Sequence, residues 1–551
     1  MSEDDAAKPS IISGAGQDAI RSGTVRTYTR PVSLFRSAST VSLLTLASRI
    51  TGLVRDVLMS SVFGVSALTD AFYVAFRIPN LFRRVLGEGA FSQAFVPVLA
   101  ACKTEHGDEG AKQLIDHVGT LLTWTLVVLC VVGVVAAPLM VWAMASGLKQ
   151  SGGFDSAVVM TRWMFPYIGF MSLVALAGGI LNTWRKFVVP AASPVLLNLA
   201  LISSIVLGAP LFRRYGIEPI YAQCIGVMVG GILQLALQIP ALRSLGMLPR
   251  IGVRWAALRA AWADPTTRKI LRLMLPALIG VSGAQISLLI NTQIASHLAE
   301  GSVTWITNAD RLMEFPSAML GVALGVVLMP QLAAARAAKD DIRYSAMLDW
   351  GLRLVVLLTV PCAVALLVFP QPLVAVLFHN GAFSALDVQR TTAALMGYGT
   401  GLLGIVAIKV LAAGYYARHD MRTPMRISLG ALALTQVLNI FLVPQMQHAG
   451  LTLSIGIATL VNALLLLIGL RRAGSFKPEP GWGRFIAQVL AGTVVLGALL
   501  VWGNQHFDWI ALREQRLLRV GLLAGIVVSA AALYFATLAL VGVKLRSFMR
   551  R

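Results

Sequence analysis

This chain has little charge. Only 13% of its 551 residues are Asp, Glu, Lys or Arg, about half the share in a soluble globular protein, so a soluble fold with a solvated surface is excluded. The alternating pattern of a membrane barrel is absent too, and unpaired backbone is costly in lipid, which leaves helix. No Walker A loop, GxSxG or HExxH occurs, so no enzyme, cofactor or catalytic metal is expected. Cys102, Cys130, Cys224 and Cys362 share no metal or redox spacing and read as small packing residues beside apolar segments. The seven histidines are scattered, mostly near the ends of apolar runs. At the N-terminus no apolar region precedes a cleavage site, and Arg21, Arg26 and Arg30 make it mildly basic. Residues 1–36 therefore read as a disordered cytoplasmic tail, not a signal peptide.

Apolar sequence is abundant. Hydrophobic residues make up 57% of the chain, and runs such as Leu121 to Ala145 and Val520 to Val541 recur along it. Each can cross a hydrocarbon core of about 30 Å at about 1.5 Å per residue. The expected fold is an all-α polytopic membrane protein with about fourteen spans: 38–63, 67–100, 118–144, 157–183, 189–211, 219–242, 271–298, 303–334, 348–369, 387–415, 424–444, 450–470, 484–503 and 518–541. The net charge of +21 does not imply nucleic acid, because the cations cluster in short loops, as the positive-inside rule predicts. With a cytoplasmic N-terminus the inside loops hold Arg185/Lys186, Arg243 to Lys269, Arg336/Lys339/Arg343, Arg418/Arg422, Arg471/Arg472/Lys477 and the tail from Lys544. The outside loops hold mainly Lys149, Arg213/Arg214, Arg390 and Arg513. Both termini are placed in the cytoplasm.

The two halves resemble each other weakly at an offset of roughly 230 residues. Phe95-Val96-Pro97 answers Leu328-Met329-Pro330, Leu242-Arg243 answers Leu470-Arg471, and Tyr167 and Trp184 answer Tyr398 and Tyr415. This favours a six-plus-six repeat of like orientation, suited to two lobes that rock about a central cavity. The expected division is an N-lobe at 37–246, a cytoplasmic linker at 247–270, a C-lobe at 271–474, and two added spans with a basic tail at 475–551.

Several spans nevertheless contain charge, at roughly 2.5–3.5 kcal/mol each at mid-bilayer on insertion scales. Span one holds Arg49, Arg55 and Asp56; span two holds Asp70, Arg77, Arg83, Arg84 and Glu88; span eight holds Asp310, Arg311 and Glu314. Arg49 and Asp56 share a helix face, and Asp70, Arg77 and Arg84 form a second stripe. Arg84 with Glu88 and Arg311 with Glu314 are spaced to pair along their own helices. Arg55 and Arg83 have no obvious helical partner of opposite sign, apart from neighbours that point elsewhere. Asp70 and Asp310 lie near the external ends of their spans, so the deeper bundle is read as net positive. Such a cavity suits an anion, and guanidinium suits phosphate because its planar donors bind two oxygens at once. At an effective dielectric of about 20, each contact at about 4 Å contributes roughly 4 kcal/mol. Pro79, Gly87, Gly89 and Pro97 allow the second helix to bend toward that cavity. The structural alternative is that these arginines pair with acids on neighbouring helices and only hold the bundle together.

Four segments, Thr69-Asp70-Ala71-Phe72, Pro79-Asn80-Leu81-Phe82-Arg83-Arg84, Glu88-Gly89-Ala90-Phe91-Ser92-Gln93-Ala94-Phe95-Val96-Pro97 and Ala309-Asp310-Arg311-Leu312-Met313-Glu314-Phe315-Pro316, resemble the lipid II flippase family MurJ, also called MviN. The resemblance runs from about Ser37 to the C-terminus. It implies the multidrug/oligosaccharidyl-lipid/polysaccharide exporter fold, with two six-helix lobes and two extra helices forming a groove for a lipid tail. It implies transport of lipid II, an undecaprenyl-pyrophosphate-linked peptidoglycan precursor, from the cytoplasmic to the periplasmic leaflet of the bacterial inner membrane. The family's essential cavity arginines match Arg49, Arg55, Arg83 and Arg311, and Asp70 and Glu88 match acidic positions that matter there. Asp70, Arg77, Arg84, Glu88, Asp310 and Glu314 are read as supporting cavity charges. Some members resemble sodium-coupled carriers with acids in the seventh and eleventh spans. Asn291 and Asn439 stand near those places here, so drive by the membrane potential fits better. Expected partners are lipid II and membrane lipids, with the cell-wall synthesis machinery as a further candidate, no nucleic acid, and a monomeric state. Competing readings are a flippase for another polyprenyl-linked oligosaccharide, a drug exporter of the same superfamily, and a non-transporting scaffold.

Overall fold

The computed structural model describes residues 32–84 and 91–543, and every regular element within them is helical. Residues 1–31 of the N-terminal tail, Gly87, Glu88 and Gly89, and the basic tail from Lys544 lie outside the described residues. The first hairpin joins α1 (Val32–Phe63) to α2 (Ala67–Phe82). Ser66 starts α2 with a capping box, its hydroxyl accepting the Thr69 N–H and its own N–H donating to the Thr69 hydroxyl, which satisfies two end donors. Helix α3 (Ser92–Val135) is 44 residues long, too long for one crossing. Gly107, at φ 68° and ψ −164°, breaks it where only glycine tolerates that backbone. The part before Gly107 continues the second span, and the part after it runs through α4 (Ala137–Ala145) as the third.

The N-terminal half continues with α5 (Phe154–Met164), α6 (Tyr167–Thr183), α7 (Val188–Ser203), α8 (Ala209–Arg214) and α9 (Tyr221–Ser244). A short helix absent from the sequence reading, α10 (Trp255–Ala263), lies in the linker. Its run Trp-Ala-Ala-Leu-Arg-Ala-Ala-Trp-Ala is rich in strong helix formers, and Asp264 then caps the next helix by accepting the Thr267 N–H at 2.6 Å. The C-terminal half is α11 (Pro265–Ser296), α12 (Ser302–Ala337), α13 (Asp341–Val368), α14 (Pro370–Phe378), α15 (Ala385–Ala417), α16 (Arg422–Met446) and α17 (His448–Arg472). Two added helices, α18 (Trp482–His506) and α19 (Arg516–Leu540), close the chain.

Ten helical runs among the described residues are long and apolar enough to cross a membrane. The other four expected spans fall on α1, on α2 with the start of α3, on α11 and on α12, consistent with about fourteen. Apolar side chains form one core from α12 to α19 and two built mainly from the N-terminal half, which also take in Ile270, Ala295, Val303, Val443 and Leu451. The added pair belongs to the C-terminal core: Tyr534 is buried and its hydroxyl donates to the Leu357 carbonyl at 2.5 Å. Large apolar side chains such as Val131, Val135, Phe441 and Val528 face outward, as lipid-facing surface requires.

Candidate functional site

Where the two halves meet, a cavity holds about 330 Å³ of water-accessible space. Helix α1 contributes Arg55 and Asp56, α2 and the residues just past it contribute Arg77, Arg83 and Arg84, and α12 contributes Asp310 and Arg311. Among the described residues, five arginines and two carboxylates line the wall. Arg55 and Arg311 also line an adjoining pocket of about 280 Å³, which adds Arg49 and Glu314. Tyr73, Asn80, Gln223, Gln285 and Thr307 supply polar lining without further charge.

Alternating charges stitch α1 to α12. Asp56 is buried, and its Oδ1 accepts from Arg55 Nε at 2.9 Å and Nη2 at 2.7 Å. Arg311 Nε lies 2.6 Å from Asp56 Oδ2, an ion pair whose N–H does not point at the oxygen. Arg311 Nη1 donates to Glu314 Oε2 at 2.7 Å, the pairing expected from the spacing. Glu314 Oε1 lies 3.6 Å from Arg49 Nη1, a looser contact. The reading that Arg55 lacks a partner on its own helix is corrected: its guanidinium folds back onto the adjacent Asp56, which neighbours on a helix seldom do because their Cβ atoms diverge. The remaining donor, Nη1, reaches Asn198 Oδ1 on α7 at 3.0 Å.

Arg77 bridges α2 to the other half, donating to the hydroxyls of Thr292 at 2.9 Å and Thr307 at 2.7 Å. Arg83 Nε donates to Asn80 Oδ1 at 3.1 Å. Arg84 and Asp310 are exposed toward the cavity, and Glu88 lies outside the described residues. The expectation that Asp70 supplies cavity charge is corrected. Asp70 is buried; Oδ2 accepts the Gly301 N–H at 2.8 Å, and Oδ1 accepts the Thr304 N–H at 2.8 Å and the Thr304 hydroxyl at 2.6 Å. It caps the N-terminus of α12, where the free amides and the helix dipole favour an anion.

Sequence reasoning passed over Asn198, Thr292, Thr307 and Lys409. Lys409, on α15, donates to the Ser317 carbonyl at 2.9 Å, beside Glu314 and Arg49. A lone lysine or amide within an apolar run was the available signal, since polar groups in spans mark function or a buried partner. Asn291 and Asn439 do meet, although they lie on α11 and α16: Asn439 Nδ2 donates to Asn291 Oδ1 at 3.2 Å and to Gln436 Oε1 at 3.1 Å. Among the described residues no group of three or more His, Cys, Asp or Glu is placed to hold a metal ion.

Residues 59–518 match the model of the family described as lipid II flippase MurJ. The chain is 50% identical over 521 residues to lipid II flippase MurJ of Burkholderia cenocepacia, which covers 94% of this chain and all of that relative. A solved structure of lipid II flippase MurJ in an inward closed conformation superposes with a TM-score of 0.74 at 22% identity, covering 93% of this chain and 99% of that one. An inward-facing multidrug resistance MATE family transporter of the MOP superfamily gives 0.61 at 14% identity, covering 80% and 98%. At those identities the two structures speak for the fold.

Proposed function

Since the chain belongs to the lipid II flippase MurJ family, we propose that it carries lipid II across the bacterial inner membrane, from the cytoplasmic to the periplasmic leaflet, for cell-wall synthesis. It is a multi-pass protein of that membrane. The observation that carries the mechanism is the positive cavity between the two halves. Arg49, Arg55, Arg83 and Arg311 take the pyrophosphate. Asp56 and Glu314 hold three of these guanidiniums meanwhile, so the diphosphate exchanges with carboxylates and no guanidinium is stripped of counter-charge. That exchange limits the electrostatic cost of loading and of release. No bond is made or broken in the cycle.

The lobes, 37–246 and 271–474, rock about this site, with 247–270 as the linker between them and both termini cytoplasmic. In this arrangement the outer end is tied shut. Asp70 caps α12, Glu300 accepts the Ala67 N–H at 2.7 Å, and the Ala382 N–H donates to the Ser61 carbonyl at 2.7 Å. The polyprenyl tail stays in lipid along α18 and α19, and the protein works as a monomer. The neutral Asn291–Asn439 pair supports drive by the membrane potential, worth about 2.3 kcal/mol per charge per 100 mV. The test is complementation: Arg49→Ala, Arg55→Ala, Arg83→Ala and Arg311→Ala should each insert normally yet fail to rescue cells depleted of their flippase. Full rescue by all four would remove the arginines from the mechanism.

A further inference from the structure

A second concavity, of about 750 Å³, lies in the C-terminal half away from the arginine cavity. Val355 of α13 forms one wall, Leu464 and Leu467 of α17 the other, and Gly404 and Ala407 of α15 the floor. The segment between α17 and α18 roofs one end, with Phe476, Pro478 and Trp482 among the lining. That roof is held in place. Buried Asp349 accepts the Glu479 N–H at 3.1 Å and Trp482 Nε1 at 2.7 Å, while Arg353 donates to the carbonyls of Glu479 at 3.2 Å and Pro480 at 3.0 Å. The groove is therefore pre-formed, and Leu464, 54% exposed, leaves its side open to the surroundings.

We propose that this groove holds one acyl chain of an anionic phospholipid, with the lipid phosphate at Arg471. Depth is the first reason. Along α17 the lining runs from Arg471 at the rim through Leu467 and Leu464 to Leu460, a rise of about 16 Å at 1.5 Å per residue, and half of a hydrocarbon core is about 15 Å. The groove thus spans one leaflet, from the headgroup level to the midplane. Charge is the second reason. Arg471 at the rim and its exposed neighbours Arg472 and Lys477 outnumber the single rim carboxylate, Glu479, and basic residues at the membrane surface favour anionic lipid. The chemistry of the walls is the third: apart from Arg471 and Glu479 the lining side chains are apolar or those of glycine and proline, with Trp482 turned to Asp349. The undecaprenyl chain of lipid II is far longer than a leaflet is deep and overruns this site.

The test reconstitutes the full chain in phosphatidylcholine vesicles containing a small share of phosphatidylglycerol that bears a mid-chain diazirine. After irradiation, adducts are mapped by mass spectrometry. They should concentrate on 352–356, 403–411 and 460–467 over the outward Val528 and Leu533 of α19. Leu464→Trp should abolish the groove adducts and leave those on α19 unchanged, which also reports that the variant is folded and inserted. Arg471→Gln, a rim change, should lower groove labelling about fivefold, as one basic residue near an anionic lipid is worth, and should leave a phosphatidylcholine probe unaffected. Even labelling of groove and α19, indifference to both substitutions, or preferential labelling by a diazirine-bearing polyprenyl phosphate would overturn the assignment.

Discussion

Asp56 is the residue on which the arginine cluster turns, because it neutralises Arg55 and Arg311 from two helices at once. A diphosphate entering the cavity competes with it for both guanidiniums. Asp56→Asn should therefore hold substrate more tightly and release it more slowly. The expected outcome is more lipid II retained on the purified variant in native mass spectrometry, together with weaker complementation. Unchanged retention would show that this carboxylate does not compete with the ligand. Spacing alone made the Arg311–Glu314 pair legible, since residues three apart on a helix are neighbours. Asn198 was not legible as the partner of Arg55, because nothing local to Val195-Leu196-Leu197-Asn198 says which helix lies opposite. Arg55–Asp56 was missed because a long guanidinium can fold back onto an adjacent residue when a cavity gives it room.

Among the helices, α2 and α12 carry a seam between the two halves. Asp70 reads as one member of a charged stripe, yet its partners are the amides that open a helix over 230 residues later; helix periodicity cannot report such a contact. Losing a cap of this kind costs about 0.5–2 kcal/mol. Asp70→Ala should thus loosen the seam, increasing labelling of a cysteine placed at Ser302 by an impermeant maleimide in a cysteine-free background. A second tie is steric. A Cβ on Gly147 would stand 2.1 Å from the Ser296 carbonyl oxygen, so Gly147→Ala should force that turn away from α11 and raise the same labelling. If neither substitution changes it, the seam is not a gate. Ten of the spans were readable as apolar runs of membrane length that are helical among the described residues. What apolar length could not convey was the break at Gly107 inside a continuous helix, or α10, whose nine residues are too few to register as a span.

At the scale of the whole molecule, arginines outnumber carboxylates among the described residues lining the cavity between the two halves, and the source of drive is a property at this scale. With amides in place of acids at Asn291 and Asn439, replacing sodium by potassium at constant membrane potential should leave flipping unchanged. Collapsing the potential should slow it. Strong sodium dependence would require an ion site other than this amide pair.

The central claim is that guanidiniums in this cavity move the substrate's pyrophosphate between leaflets. Its most direct test is a leaflet-resolved measurement of lipid II in cells depleted of their flippase and rescued either with this chain or with Arg55→Ala, matched for membrane insertion. The account predicts that lipid II becomes accessible at the outer leaflet with the unaltered chain and stays cytoplasmic with the variant. Equal outer-leaflet accessibility in both would contradict it.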